Sequence, residues 1–171
     1  RNALHSGMLS LSSSKQIFSL LDEKPLVDDA DPTSQQAGSL DPTICFQNIK
    51  FQYPGGRGLI HKSLTFEIAA GERVAIVGPS GCGKSSIVRL LSRFYDPDTG
   101  NISIGGHDLR ELTFETIRKQ LSIVSQDTHL FHGNVTENLL LGSSDATSEQ
   151  IKEATVAANA HDFIKRLPSG Y

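Results

Sequence analysis

The spacing of hydrophobic positions changes several times along this chain of 171 residues, and each change marks an element. Leu4, Met8, Leu11, Phe18 and Leu21 recur at near-helical intervals and predict one amphipathic helix over residues 1–23, although the run Ser12, Ser13, Ser14 weakens its propensity. Residues 24–43 hold Pro25, Pro32 and Pro42 among Asp, Ser, Gln and Gly, with almost nothing apolar, and read as a linker. From Ile44 to Phe51 strand formers dominate until Pro54 and Gly55-Gly56 close the run. Leu64, Phe66 and Ile68 then alternate with Ser63, Thr65 and Glu67, which predicts a strand with one buried face. A short apolar run rich in β-branched residues, Arg73 to Val77, predicts a buried strand. Asn101 to Ile104 reads as a strand between the turns Tyr95–Gly100 and Gly105-Gly106, and Leu121 to Ser125 as another. Helices are predicted at Phe114–Gln120 with Thr113 as cap, at Val135–Leu141, at Thr147–Asn159 and, more briefly, at His161–Leu167 before Pro168. Gln150 stands three residues after Thr147, the spacing of a capping box. Strands and helices alternate after Arg73 while the earlier strands cluster, so the pattern predicts a parallel α/β core with an antiparallel β layer at its entrance.

Between the predicted strand at 73–77 and a helical pattern from Ile87 lies Gly78, Pro79, Ser80, Gly81, Cys82, Gly83, Lys84, Ser85, Ser86. This stretch satisfies G-x-x-x-x-G-K-[ST] in full and in the strand, loop, helix context the motif requires. Its glycines let the backbone curl until several N–H groups converge on phosphate oxygens, with the helix N-terminus adding partial positive charge. Lys84 then reaches the β and γ phosphates, and Ser85 offers its hydroxyl to Mg²⁺. Cys82 reads as a small spacer within the loop. Phosphate binding is the function these residues predict.

Composition narrows the partners. Sixteen basic and nineteen acidic residues leave a net charge of -3, so no basic field invites nucleic acid. No run approaches the roughly 20 apolar residues needed to cross a bilayer. Two cysteines, Cys45 and Cys82, are too few for a disulfide framework. His129 and His132 are the one close histidine pair, without a Cys or carboxylate at ligand spacing, and do not read as a metal site. The opening at Arg1 and the stop soon after Pro168 lead us to expect a piece of something longer.

With the phosphate loop in place, further stretches fall in the order of one family. The chain resembles the nucleotide-binding domain of an ATP-binding cassette (ABC) transporter of the exporter type, over about Ile44 to Tyr171. Phe51-Gln52-Tyr53-Pro54 resembles the aromatic loop, in which Tyr53 would stack on adenine. Ser122 to Asp127 resembles the glutamine loop, in which Gln126 would contact Mg²⁺ or the attacking water, and His129 to Asn138 follows it as in the family. Residues 1–23 resemble the cytoplasmic end of a last transmembrane helix. The resemblance implies an α/β P-loop NTPase (RecA-like) core, an antiparallel β subdomain and part of a helical subdomain, the C-terminal half of the domain being missing. It implies ATP and Mg²⁺ as ligands, with Lys84 and Gln126 catalytic. It also implies a transmembrane domain and a second nucleotide-binding domain, head to tail, as partners. The location implied is a membrane, with this domain on the cytoplasmic or matrix side.

The departures carry equal weight. Residues 1–171 contain no Leu-Ser-Gly-Gly-Gln signature, no second acidic motif with a general-base Glu and no switch His. Leu20-Leu21-Asp22-Glu23 is no substitute for the acidic motif, since it is helical in period and lies upstream of the loop. This chain is therefore expected to hold nucleotide without turning it over, and to be marginal in solution because strands flanking the phosphate-loop strand are absent. One rival reading, a soluble ABC ATPase that does not transport, is opposed by residues 1–23 and the exporter-like linker; the other, a non-catalytic nucleotide-binding product ending at Tyr171, is left open by the sequence.

Overall fold

A computed structural model describes residues 14, 15, 17–31, 40–56 and 58–171. It divides into two units, residues 1–122 and 123–171, each taken by itself below. Residues 17–21 are helical, and the rest of the helix expected over residues 1–23 lies largely outside the described residues.

The first unit is organised by a four-stranded antiparallel sheet. Its strands are β1 (Ile44–Phe51), β2 (His61–Ile68), β3 (Thr99–Ile104) and β4 (His107–Asp108), in the order β2-β1-β3-β4. β1 is central: Phe46 lies opposite Phe66 on β2 and Ile102 on β3. The Phe46 and Phe66 rings stack with centroids 4.5 Å apart. β1 breaks register between Gln47 and Lys50, where Asn48 takes φ 51. Gly100 (φ 90) fits there because any Cβ would collide with the carbonyls of Gln47 and Asn48.

Helix α1 (Lys84–Leu91) buries Ile87 and Leu90 in a core that also holds Phe46, Ile49, Phe51, Ile102, Ile104, Leu109 and Leu112. Helix α2 (Phe114–Gln120) adds Ile117 and is capped as expected by Thr113, whose hydroxyl accepts from the Thr116 N–H. The segment leading into the sheet is tied to this body, since the Asp28 carbonyl accepts from Arg93 and an Asp29 carboxylate oxygen from the Phe114 N–H.

Two strand expectations require correction. Residues 73–77 and 121–125 belong to no strand. Val74, Ile76 and Val77 are 47%, 42% and 86% exposed, and Val124 is 96% exposed. A strand exists only with a ladder partner, and none of the described residues pairs with either run. The sheet that does form is antiparallel throughout.

The second unit contains α3 (Val135–Leu140), α4 (Ser148–Ala157) and α5 (His161–Lys165). Both longer helices open on capping boxes, Asn134 with Glu137 and Thr147 with Gln150, each joining side chain and backbone reciprocally. The Asn138 amide holds the preceding loop, accepting from the Phe131 N–H and donating to the Phe131 carbonyl. The Tyr171 hydroxyl closes the unit through hydrogen bonds with Thr155 Oγ1 (2.7 Å) and His161 Nδ1 (2.6 Å).

Candidate functional site: the phosphate loop and its floor

The loop from Gly78 to Gly83 enters α1 through glycines in left-handed conformations, Gly81 at φ 79 and Gly83 at φ 96. Gly83 is the N-cap, and its backbone has no side chain to offer the first turn. That end of α1 also carries no acidic residue, whereas α2, α3 and α4 each present a capping oxygen and a carboxylate there. The first turn of α1 therefore keeps N–H groups and the positive end of the helix dipole without a negative group of its own.

Lys84 brings a cation to the same place. Its ammonium donates to the carbonyls of Gly78 and Pro79, both at 2.8 Å, and stands 3.8 Å from Cys82 Sγ. The loop is thus wrapped around the charge that would meet an anion. Pro79, Ser80, Cys82 and Ser85 are exposed, so the loop is open to solvent. The exposed Ser85 side chain offers a hydroxyl oxygen of the kind Mg²⁺ takes when it arrives with phosphate.

Ser86 faces inward, is 5% exposed, and meets Tyr53: its Oγ lies 2.9 Å from the Tyr53 hydroxyl. Arg89 Nη1 donates to the same hydroxyl at 3.4 Å, with the guanidinium 5.7 Å from the ring centroid. Phe51 and Tyr95 meet the Tyr53 ring edge-on at 4.8 and 5.1 Å. The fold therefore places Tyr53 beside the first turns of α1. Gln126 is exposed and lies in the second unit, where Ser125 Oγ donates to the Asp127 carbonyl at 2.5 Å.

One functional neighbour escaped the sequence reading. His61, the first residue of β2, is 8% exposed beneath the loop, and its Nε2 has no hydrogen-bond partner. A Cβ added to Gly83 would stand 2.8 Å from His61 Cε1 and 2.7 Å from Ile60 Cγ2, so the imidazole is the floor on which Gly83 rests. Nothing in the sequence signals it, because His61 is out of phase with the half-buried face formed by Leu64, Phe66 and Ile68.

Burial pushes the His61 imidazole below its ordinary 6.5, and the Gly83 backbone offsets part of that. A depressed folded value means the fold favours the neutral ring. Its stability contribution is complete above the unfolded value of 6.5 and is lost as pH falls through the lower folded value. Urea unfolding of the chain is expected to show a falling midpoint between about pH 7.5 and pH 5, above the range where carboxylates titrate. His61→Leu should flatten that decline; an equal decline in the variant would remove His61 as its source.

The antiparallel sheet, the loop and α1 together define a P-loop NTPase of the ABC ATPase fold. The family model for ABC transporters matches residues 61–170, and the chain belongs to that family. It is 47% identical over 131 residues to the mitochondrial iron-sulfur clusters transporter ABCB7 of Oryzias latipes, covering 77% of this chain and 17% of that protein. It is 38% identical over 156 residues to ABC transporter B family member 14 of Arabidopsis thaliana, covering 91% and 12%. A solved bacterial Atm1-family ABC exporter with ATP bound superposes with a TM-score of 0.85 at 41% identity, covering 96% of this chain and 28% of that one. The chain thus corresponds to part of an ABC transporter ATP-binding domain of the ABCB and Atm1 type, and spans well under a third of the length of these relatives.

Proposed function

We propose that this chain is the nucleotide-holding part of an ABC exporter, binding MgATP at the loop from Gly78 to Ser86. The observation that carries the reading is the N-terminal end of α1, uncapped and free of acidic residues, with Lys84 coiled into the loop before it. Anions gain there from both dipole and ammonium. Lys84 neutralises β and γ phosphate oxygens, the loop amides orient them, Ser85 ligates Mg²⁺, and Tyr53 offers its ring to the base. When bound, Mg²⁺ would supply charge neutralisation to the phosphates. In the intact transporter Gln126 would serve the metal or the attacking water, as the family resemblance implies.

In this reading the first unit supplies the RecA-like core and β subdomain, and the second supplies part of the helical subdomain. The intact protein couples ATP hydrolysis to transport through a transmembrane domain, and two nucleotide domains close head to tail around ATP. The chain lies on the cytoplasmic or matrix face of that membrane. No helix among the described residues is long and apolar enough to cross one.

The 171 residues bring no carboxylate in an apolar Asp-Glu strand and no signature loop to the nucleotide. ATP turnover by this chain is therefore expected to equal that of its Lys84→Ala variant in a phosphate-release assay. Turnover that Lys84→Ala abolishes would show that another residue here activates water.

A further inference from the structure

At the far end of α1 from the phosphate loop sits Arg93, 6% exposed and held at φ 53. Its guanidinium serves three segments. Nη1 donates to the Leu112 carbonyl at 3.1 Å, Nη2 to the Asp28 carbonyl at 3.0 Å, and Nε to Asp96 Oδ1 at 3.3 Å. Its Cζ lies over the Phe114 ring, 5.3 Å from the centroid. Beside it, Asp29 Oδ1 accepts from the Phe114 N–H at 2.7 Å and from the Ala30 N–H at 2.9 Å. Residues 28–30, which the sequence presents as linker, are therefore fastened to the end of α1 and the start of α2.

The fastening is an obligatory one. A buried guanidinium that loses an acceptor keeps its desolvation cost without the hydrogen bond that offset it. Undocking residues 28–30 would strip Arg93 Nη2 of its partner, and shifting the C-terminal end of α1 would do the same. An eight-residue helix is a rod of about 12 Å, so what fixes one end constrains the other.

We propose that Arg93 is a positioning residue that couples occupancy of the phosphate loop to docking of residues 28–30. Nucleotide that holds the N-terminal end of α1 in place strengthens the clamp at its far end, and the docked segment in turn favours nucleotide. The chain upstream of the sheet thereby senses occupancy of the loop. This inference rests on the reading of that loop as a nucleotide site.

The test is hydrogen exchange at the Phe114 and Ala30 amides in the full chain, with and without saturating MgATP, alongside the MgATP dissociation constant. MgATP is expected to slow exchange at both amides by about fivefold or more, the lower end of typical coupling. Asp29→Ala, which leaves the loop untouched, should speed exchange at Phe114 and weaken MgATP binding by a similar factor, as reciprocity requires. Arg93→Met should abolish the nucleotide-dependent slowing. Tight MgATP binding with unchanged Phe114 exchange, or an Asp29→Ala variant that undocks with unaltered affinity, would overturn the coupling while leaving the site intact. Absence of MgATP binding in the unmodified chain would instead remove the site reading and the coupling with it.

Discussion

Gly83→Ala is expected to cost this chain most of its affinity for MgATP. The position holds φ 96, where an L-residue with a Cβ is strained by about 1–2 kcal/mol. The new methyl would also stand 2.7 Å from Ile60 Cγ2 and 2.8 Å from His61 Cε1. Neither neighbour can retreat easily, because His61 is buried and Ile60 packs on the core. Overpacking adds a further cost of about 1–3 kcal/mol. Either His61 or the N-cap must move, and moving the N-cap carries Lys84 with it. A shift that consumes even about 2 kcal/mol weakens binding roughly thirtyfold. Gly81→Ala is the informative contrast: it shares the positive φ, but its Cβ meets nothing within 4 Å, so only the backbone strain applies. Affinity of Gly83→Ala within twofold of the unmodified chain would show that the floor beneath the loop yields freely.

Phe46→Ala is expected to destabilise the first unit by about 3–5 kcal/mol. Phe46 is 1% exposed on the central strand, stacked on Phe66 and opposite Ile102, so truncation leaves a cavity walled by two neighbouring strands. A ladder bonded on both sides of β1 limits how far the backbone can collapse to fill it. Against a typical domain stability of about 5–15 kcal/mol that loss is large, and the chain's exposed apolar runs leave little reserve. Urea unfolding followed by circular dichroism reads it directly. A loss under about 1 kcal/mol would mean that β1 is not the centre of the folded core.

What the sequence made legible follows from how local each signal is. β1 was read as Ile44 to Phe51 and forms with those bounds, because a dense run of strand formers ends at Pro54 and Gly55-Gly56. The Thr147 and Gln150 capping box needs only four residues to be recognised, and it forms. The phosphate loop is contiguous, so the motif delivers Gly83, Lys84 and Ser85 together at the start of α1.

Non-local features were harder. The runs at 73–77 and 121–125 have the composition of buried strands, yet β structure depends on a partner elsewhere, and composition says nothing of whether one is present. β3 begins at Thr99, inside a stretch whose Pro, Asp and Gly read as turn, because the irregularity at Asn48 admits Gly100 to the ladder. His61 and Arg93 carry no local pattern at all. Their roles arise from burial against Gly83 and against Asp28, which only the folded chain brings near.

Every function proposed for this chain rests on nucleotide binding at the loop from Gly78 to Ser86. Calorimetric titration of the chain with MgATP, with Lys84→Ala measured alongside, tests this most directly. Saturable binding at one site per chain is expected, weakened at least about tenfold when the charge-assisted contacts of Lys84 are removed. No saturable binding, or equal affinity in the two proteins, would contradict it.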